Sequence, residues 1–173
     1  IRIGRSVSEA ILKTIHENAS DLVVLGWPGF TGSRGQLFGS VIDRIASNPP
    51  TDVAIVRHRP YEQLRSILVP VAGGPNGRLA VSMAIALARN TPEQTRVILT
   101  HIALSGTDPT DAQARAHNAF RRATEGRRYE LIDRRVVTAS SPVEGIMRAA
   151  ADCDMVVIGA TKERLFRNIL IGN

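Results

Sequence analysis

Short apolar runs alternate along the chain with segments whose apolar residues recur at helical spacing. Two of the runs, Asp21 to Gly26 and Asp154 to Gly159, are continuous and end in glycine. A continuous apolar run that ends in glycine is typical of a parallel strand buried on both faces and followed by a tight turn. The amphipathic segments between the runs predict helices.

The pattern predicts five helices and seven strands. Helices are expected at residues 6–18, 40–47, 78–89, 111–124 and 142–151, and strands at residues 1–5, 21–25, 52–57, 67–71, 96–104, 129–138 and 154–158. Strands that alternate with helices favour an α/β fold, with a parallel sheet and helices on both of its faces.

One glycine pattern occurs twice. The first copy consists of Gly26, Gly29, Gly39 and Ser40, and the second copy consists of Gly159, Lys162, Gly172 and Asn173, with the same spacing. The helix and strand that precede each copy repeat as well. A repeat that is about as long as one domain indicates a duplicated domain rather than a solenoid.

The first copy has the features of an anion-binding turn. Glycine lets the backbone approach a phosphate closely, and the free N–H groups of a first helical turn point towards it. Ser40 with Asp43 is an N-terminal capping pattern, so a helix is expected to begin at Ser40. The alternative is an ordinary strand-to-helix turn in which the glycines serve geometry alone.

At these residues the chain resembles the universal stress protein family. The family's ATP-binding members carry G-x2-G-x9-G-[ST] after the fourth strand of the domain, and Gly26, Gly29, Gly39 and Ser40 match this pattern at every position. Residues 52–57 look like the family's last strand, and residues 66–71 look like its first. The resemblance covers nearly the whole chain.

The resemblance implies a fold and a domain division. It implies tandem adenine-nucleotide alpha-hydrolase-like domains, each with a parallel five-stranded sheet of order 3-2-1-4-5 that binds its ligand where the strand order reverses. We expect residues 1–59 to be the C-terminal part of a first domain, 60–65 a linker, and 66–173 a second domain without its last helix and strand. The chain is then part of a longer tandem protein. A rival arrangement has residues 40–57 complete the second sheet, within one chain or by swapping.

The same resemblance assigns the ligand. We expect an adenine nucleotide, ATP with or without Mg²⁺, at Gly26, Gly29, Gly39 and Ser40, with the N–H of Val41 as a further donor. Trp27, the only tryptophan, is expected to pack on its own domain rather than to cover the nucleotide.

The second site is expected to be degenerate. The family's ATP binders have an aspartate at the end of the first strand, where this chain has Val71 followed by Ala72. Lys162 replaces a glycine and brings a side chain to a place where backbone should approach the ligand. Asn173 replaces the serine, whereas Gly159 and Gly172 are retained.

Composition limits the other possible functions. A net charge of +6 suits an anionic partner or a solvated surface, but only 4% of the residues are aromatic, so nucleic acid is not an expected partner. The sequence has no Walker loop, and its four histidines show no metal-ligand spacing. Ser40 has no recognisable base partner, so we expect no catalytic residues, no metal site and at most slow ATP hydrolysis.

The remaining features leave three functions open. A single cysteine, Cys153, fits a reducing compartment and an inert buried thiol, and no apolar run reaches the roughly 18 residues of a membrane helix. The first function is a cytoplasmic nucleotide-binding regulatory module, acting as a homodimer or an intramolecular pseudo-dimer. The second is the cytosolic domain of an inner-membrane amino-acid permease or ion transporter, because residues 25–29, 37–43, 48–50 and 69–75 resemble stress-type domains fused to such proteins. The third is a dimerisation domain without a ligand.

Overall fold

The computed structural model describes residues 6–29, 36–58, 63–92 and 94–160. These residues divide into two compact units, one within Ile1–Pro60 and one within Tyr61–Leu170. The strand expected at residues 1–5 lies outside the described residues.

The first unit contains a two-stranded parallel sheet and two helices. Its elements are α1 (Val7–Glu17), β1 (Leu22–Gly26), α2 (Ser40–Ser47) and β2 (Asp52–Val56). The strands pair from Leu22 opposite Asp52 to Gly26 opposite Val56. The buried residues Ile15 of α1 and Ile42 and Ile45 of α2 form its apolar interior.

The sheet of the first unit leaves apolar surface open. Leu22 and Val24 of β1 are 42% and 59% exposed, and among the described strands β1 has only β2 as a neighbour. A groove of about 520 Å³ between α1 and β1 is lined by Ala10, Ile11 and Val23, among others. Although its sequence is a continuous apolar run, β1 is therefore not buried on both faces.

The second unit has the more complete sheet. Its elements are β3 (Ser66–Pro70), α3 (Pro75–Arg89), β4 (Arg96–Leu104), α4 (Pro109–Thr124), β5 (Ile132–Ala139), α5 (Pro142–Ala150) and β6 (Met155–Val156). All described strand pairs are parallel, and the order is β5-β4-β3-β6. The α/β class is thereby confirmed, whereas a five-stranded sheet is not formed by the described residues and stays a prediction.

Helices cover both faces of this sheet. Val97 and Leu99 of β4 belong to a core that includes Val81 of α3 and Phe120 of α4. On the opposite face α5 packs so closely that a Cβ at Gly145 would lie 2.6 Å from the side chain of Ile102. Because successive strand residues point to opposite faces, this alternation along β4 explains its nearly continuous burial.

Several element bounds differ from the predictions. The helix predicted from Arg78 begins at Pro75, with Gly74 as its N-cap, because proline fits a first helical turn that needs no N–H donor. For the same reason α4 begins at Pro109 rather than at Asp111. The strand predicted from Tyr129 begins at Ile132, and the Tyr129 hydroxyl instead donates to the carbonyl of Thr95 at 2.6 Å.

Candidate functional site

The carboxyl end of β1 carries the first glycine segment, defined as residues 26–29 and 36–40. Gly26 is the last residue of β1, and the N–H of Trp27 donates to the carbonyl of Val56 at 2.8 Å. The backbone therefore stays attached to β2 for one residue beyond the strand before it turns. Among the described residues, no atom lies within 4 Å of a Cβ added at Gly26, so no described side chain closes this end of the strand.

Two motif glycines adopt backbone conformations that other residues rarely adopt. The φ angles of Gly29 and Gly39 are 93° and 103°, in a region that Cβ-bearing L-residues avoid. The turns at both positions therefore require glycine, whether or not a ligand binds.

Helix α2 begins at the predicted residue but with a different cap. Gly39 is the N-cap and provides no side-chain hydrogen bond, while Ser40 and Val41 are the first two helical residues. The expected Ser40–Asp43 capping pattern is wrong, because the carboxylate of Asp43 accepts from the N–H groups of Leu37 and Phe38 at 2.8 and 3.0 Å. Asp43 thus fixes the approach to the helix, and N–H groups of the first turn remain for an anion.

Trp27 packs inside the first unit, as expected. It is 5% exposed, and its ring meets that of Phe38 edge-on with centroids 5.2 Å apart. Its indole N–H is buried and has no acceptor among the described residues. Trp27 therefore joins the two parts of the glycine segment, since Phe38 directly precedes Gly39.

Arg57 is the residue that sequence reasoning missed. Its guanidinium carbon lies 5.6 Å from the centroid of the Trp27 ring. A Cβ at Gly29 would come within 2.8 Å of that same guanidinium carbon. The position of Arg57 in the sequence could have indicated it. Arg57 directly follows β2, and because parallel neighbouring strands end at the same edge of a sheet, it is expected beside the residues that follow β1.

The second copy of the pattern has a different environment. A Cβ at Gly159 would collide with the backbone carbonyl of Asn76 and lie 2.9 Å from the backbone nitrogen of Gly77. The side-chain amide of Asn76 also donates to the carbonyl of Ala160. The first turn of α3 therefore packs directly against Gly159.

The other residues expected at the second site are placed only in part. Val71 is buried and its N–H donates to the carbonyl of Thr100 at 2.9 Å, while Ala72 is exposed. His101 Nδ1 lies 3.0 Å from the Val71 carbonyl oxygen, as befits a packed polar residue. Lys162, Gly172 and Asn173 lie outside the described residues.

Comparison with known proteins identifies the family. The universal stress protein family matches residues 1–57 and 63–173. The chain belongs to this family.

Relatives of this universal stress protein chain include part of a membrane transporter. The Na(+)/H(+) antiporter NhaS5 of Synechocystis sp. is 25% identical over 174 residues, which cover 99% of the chain and 25% of the antiporter. The chain thus spans about a quarter of the length of that curated relative. No helix in the described part of the chain is long and apolar enough to cross a membrane.

Solved structures of the family resemble the chain less closely. The universal stress protein UspA from Lactobacillus plantarum is 20% identical, with a TM-score of 0.48, and the match covers 60% of this chain and 82% of that one. A universal stress protein in complex with cAMP is 17% identical, with a TM-score of 0.45, and the match covers 62% of this chain and 88% of that one.

Charged groups in this universal stress protein chain connect elements of the second unit. Burial raises the pKa of Asp154, but hydrogen bonds outweigh it and hold that pKa below its usual 3.8. The donors, each 2.9 Å from Asp154 Oδ2, are the Ser66 hydroxyl and the N–H groups of Arg65 and Ser66. Asp154 therefore anchors the start of β6 to β3.

Cys153 precedes this anchor and is half-buried rather than fully buried. Burial raises the pKa of its thiol, which disfavours the reactive thiolate. In the described part of the chain no group of three or more His, Cys, Asp or Glu side chains is placed to hold a metal ion.

Proposed function

We propose that the first glycine segment binds the phosphates and ribose of an adenine nucleotide, and that ATP, with or without Mg²⁺, is the ligand. Gly26, Gly29 and Gly39 let the backbone approach the phosphates, and Ser40 and Val41 contribute N–H groups. The observation that carries the proposal is the G-x2-G-x9-G-S segment of a universal stress protein, with an open backbone at Gly26 and an uncapped helix start.

The module acts by binding and performs no catalysis. A bound nucleotide orders the glycine segment and changes how domains or subunits associate. The second unit is silent, because Val71 is followed by Ala72 and Lys162 stands in the place of a glycine. We therefore expect about one nucleotide per chain rather than two, with binding near the micromolar range.

The decisive experiment identifies nucleotide released from the purified chain by chromatography and then titrates the chain with ATP, with and without Mg²⁺. Gly26→Val should weaken ATP binding about tenfold or more, because its side chain keeps the backbone from approaching the phosphates. A tenfold loss corresponds to roughly 1.4 kcal/mol of binding free energy. The fold should be retained because no described residue lies within 4 Å of the added Cβ.

The matched control is Gly74→Val. Gly74 also has open space around a Cβ but lies in the second unit, before α3. It should bind ATP like the unmodified chain. Equal binding by Gly26→Val and the unmodified chain would assign the glycines to backbone geometry alone.

We also propose a domain organisation. Residues 1–59 form the C-terminal part of one universal-stress-type domain, residues 60–65 link it to the next, and residues 66–173 form most of a second. The sheet order β5-β4-β3-β6 supports the order 3-2-1-4-5, with the fifth strand outside this sheet. The protein acts as a homodimer or an intramolecular pseudo-dimer.

A second candidate function is regulation of a transporter from its cytosolic side. The antiporter relative supports it, because its matched region is a quarter of a longer protein. The coding sequence upstream of Ile1 is the test, and a series of apolar spans of about 20 residues each is the expected result. Their absence would leave the free cytoplasmic module.

A ligand-free dimerisation domain is the third candidate, and the exposed apolar residues of β1 support it. Sedimentation with and without ATP measures whether the nucleotide changes association, and so distinguishes this candidate from the nucleotide-binding module. Association that is unchanged by ATP, in a chain that binds no nucleotide, is the result expected of a purely structural domain.

A further inference from the structure

The side chain of Arg57 lies where a ligand of the glycine segment would have to approach. Its guanidinium lies against Gly29, within 2.9 Å of the position a Cβ would take there. The same group lies over the ring of Trp27, 5.6 Å from its centroid. The side chain is nevertheless exposed, because it covers the outside of this segment.

This cation has no counter-anion in the described part of the chain. The ion pairs found there in the first unit join Lys13 to Glu17 and Arg44 to Glu9, and none includes Arg57. An arginine without a carboxylate beside a glycine-rich turn and a helix N-terminus adds a full positive charge to two features that already favour anions.

The aromatic pair beneath Arg57 connects it to both parts of the segment. Trp27 directly follows Gly26, and Phe38, which Trp27 contacts edge-on, directly precedes Gly39. The indole N–H of Trp27 is buried without an acceptor among the described residues. A displacement of Arg57 therefore changes the surroundings of a tryptophan that lies in one part of the segment and contacts Phe38 in the other.

We propose that Arg57 is the charged phosphate contact of this site. The inference rests on the proposed nucleotide binding and adds a residue that the glycine pattern does not contain. When the nucleotide enters, the guanidinium leaves the face of Trp27 and pairs with phosphate oxygens, and the backbone of Gly29 becomes accessible to the ligand. The planar fork of arginine suits two parallel hydrogen bonds to one phosphate.

The transfer of the Arg57 guanidinium from the ring of Trp27 to a phosphate is favourable on general grounds. A cation over an aromatic ring at an exposed position is held weakly, since water competes for the charge. A charge-assisted pair with a phosphate is stronger, because both partners are ionised and the hydrogen bonds are short. The unliganded contact with Trp27 keeps the arginine beside the site rather than dispersed in solvent.

Equilibrium dialysis with ATP on the 173-residue chain tests this inference. Arg57→Gln should weaken ATP binding about tenfold, as expected for the loss of one hydrogen-bonded charge. Arg57→Lys should recover part of the affinity, because it keeps the charge but not the fork. The matched control is Arg115→Gln, at an exposed position of α4, which removes the same charge from the second unit and should bind like the unmodified chain.

Trp27 provides an independent readout. ATP should change its fluorescence in the unmodified chain and in Arg115→Gln, and Arg57→Gln should already differ before ATP is added. If the unmodified chain binds ATP and Arg57→Gln binds it equally well or more tightly, Arg57 is not a phosphate contact and the proposed function still stands. If the unmodified chain binds no ATP, both proposals are overturned.

Discussion

At the scale of single residues, equivalent glycines have different surroundings in the two units. Gly26 and Gly159 end the same apolar pattern, but a Cβ is free of contacts at the first and meets backbone at the second. The sequence predicted Gly26 as a ligand contact and Gly159 as part of a degenerate second copy of the motif. It could not predict the difference, because that depends on the first turn of α3, which is distant in the chain.

This difference predicts that the same substitution has unequal effects on stability at the two positions. Gly159→Ala should destabilise the second unit by about 1–3 kcal/mol, because the methyl group meets backbone that cannot rotate away. Gly26→Ala should change the free energy of unfolding by less than about 0.5 kcal/mol. Chemical denaturation followed by circular dichroism measures both, and equal losses would contradict the contact at Gly159.

The carboxylate of Asp154 predicts a pH dependence. Its folded-state pKa lies below 3.8, so its stabilising effect is fully present above that value and is lost as the pH falls through the folded pKa. The second unit should therefore lose stability on acidification below about pH 4. At neutral pH, Asp154→Asn should be less stable than the unmodified chain. On acidification it should lose less stability than the unmodified chain does.

The matched control for this measurement is Asp152→Asn. Asp152 lies two residues earlier and makes none of the hydrogen bonds to Arg65 and Ser66 described above. It should follow the unmodified chain in thermal unfolding at each pH. If Asp154→Asn and the unmodified chain lose the same stability on acidification, the pH dependence comes from groups other than Asp154.

At the scale of elements, local signals predicted most of the fold. The bounds of α2 and β4 agree with the prediction, because both have clear periodicity between turn residues. The start of α3 was missed since Gly73, Gly74 and Pro75 look like a turn, although proline also opens helices. The exposure of β1 was missed because its apolar run resembles that of β3, and burial depends on neighbours that a run does not specify.

Helix α2 offers a prediction at this scale. Asp43→Ala removes the acceptor of the Leu37 and Phe38 N–H groups, and it should reduce the stability of the first unit by about 1–2 kcal/mol. It should also weaken ATP binding, since the approach to Gly39 is no longer fixed. Asp43→Asn keeps one oxygen acceptor, so its stability in calorimetry should lie between that of the unmodified chain and that of Asp43→Ala. Equal stability of the two variants would contradict the role of Asp43 as the acceptor for these N–H groups.

At the scale of the whole molecule, the two units differ in how much apolar surface they bury. The second has a core shared by its sheet and helices, whereas the first leaves Leu22 and Val24 exposed. We expect unfolding in guanidinium chloride to proceed in two steps. Fluorescence of Trp27, which lies in the first unit, should change at lower denaturant than the main circular dichroism transition. Coincident transitions would show that the units unfold together.

The contact between Gly159 and α3 also has an evolutionary consequence. A duplicated domain that loses its ligand is released from selection for binding, but Gly159 remains under selection for folding because no larger residue fits against Asn76. At Gly26 the described residues impose no such restriction, and under the proposed function the ligand is what requires glycine there. Among homologues, the residue at the position of Gly26 should therefore vary wherever nucleotide binding is lost. The glycine at the position of Gly159 should be retained even in copies that bind no nucleotide.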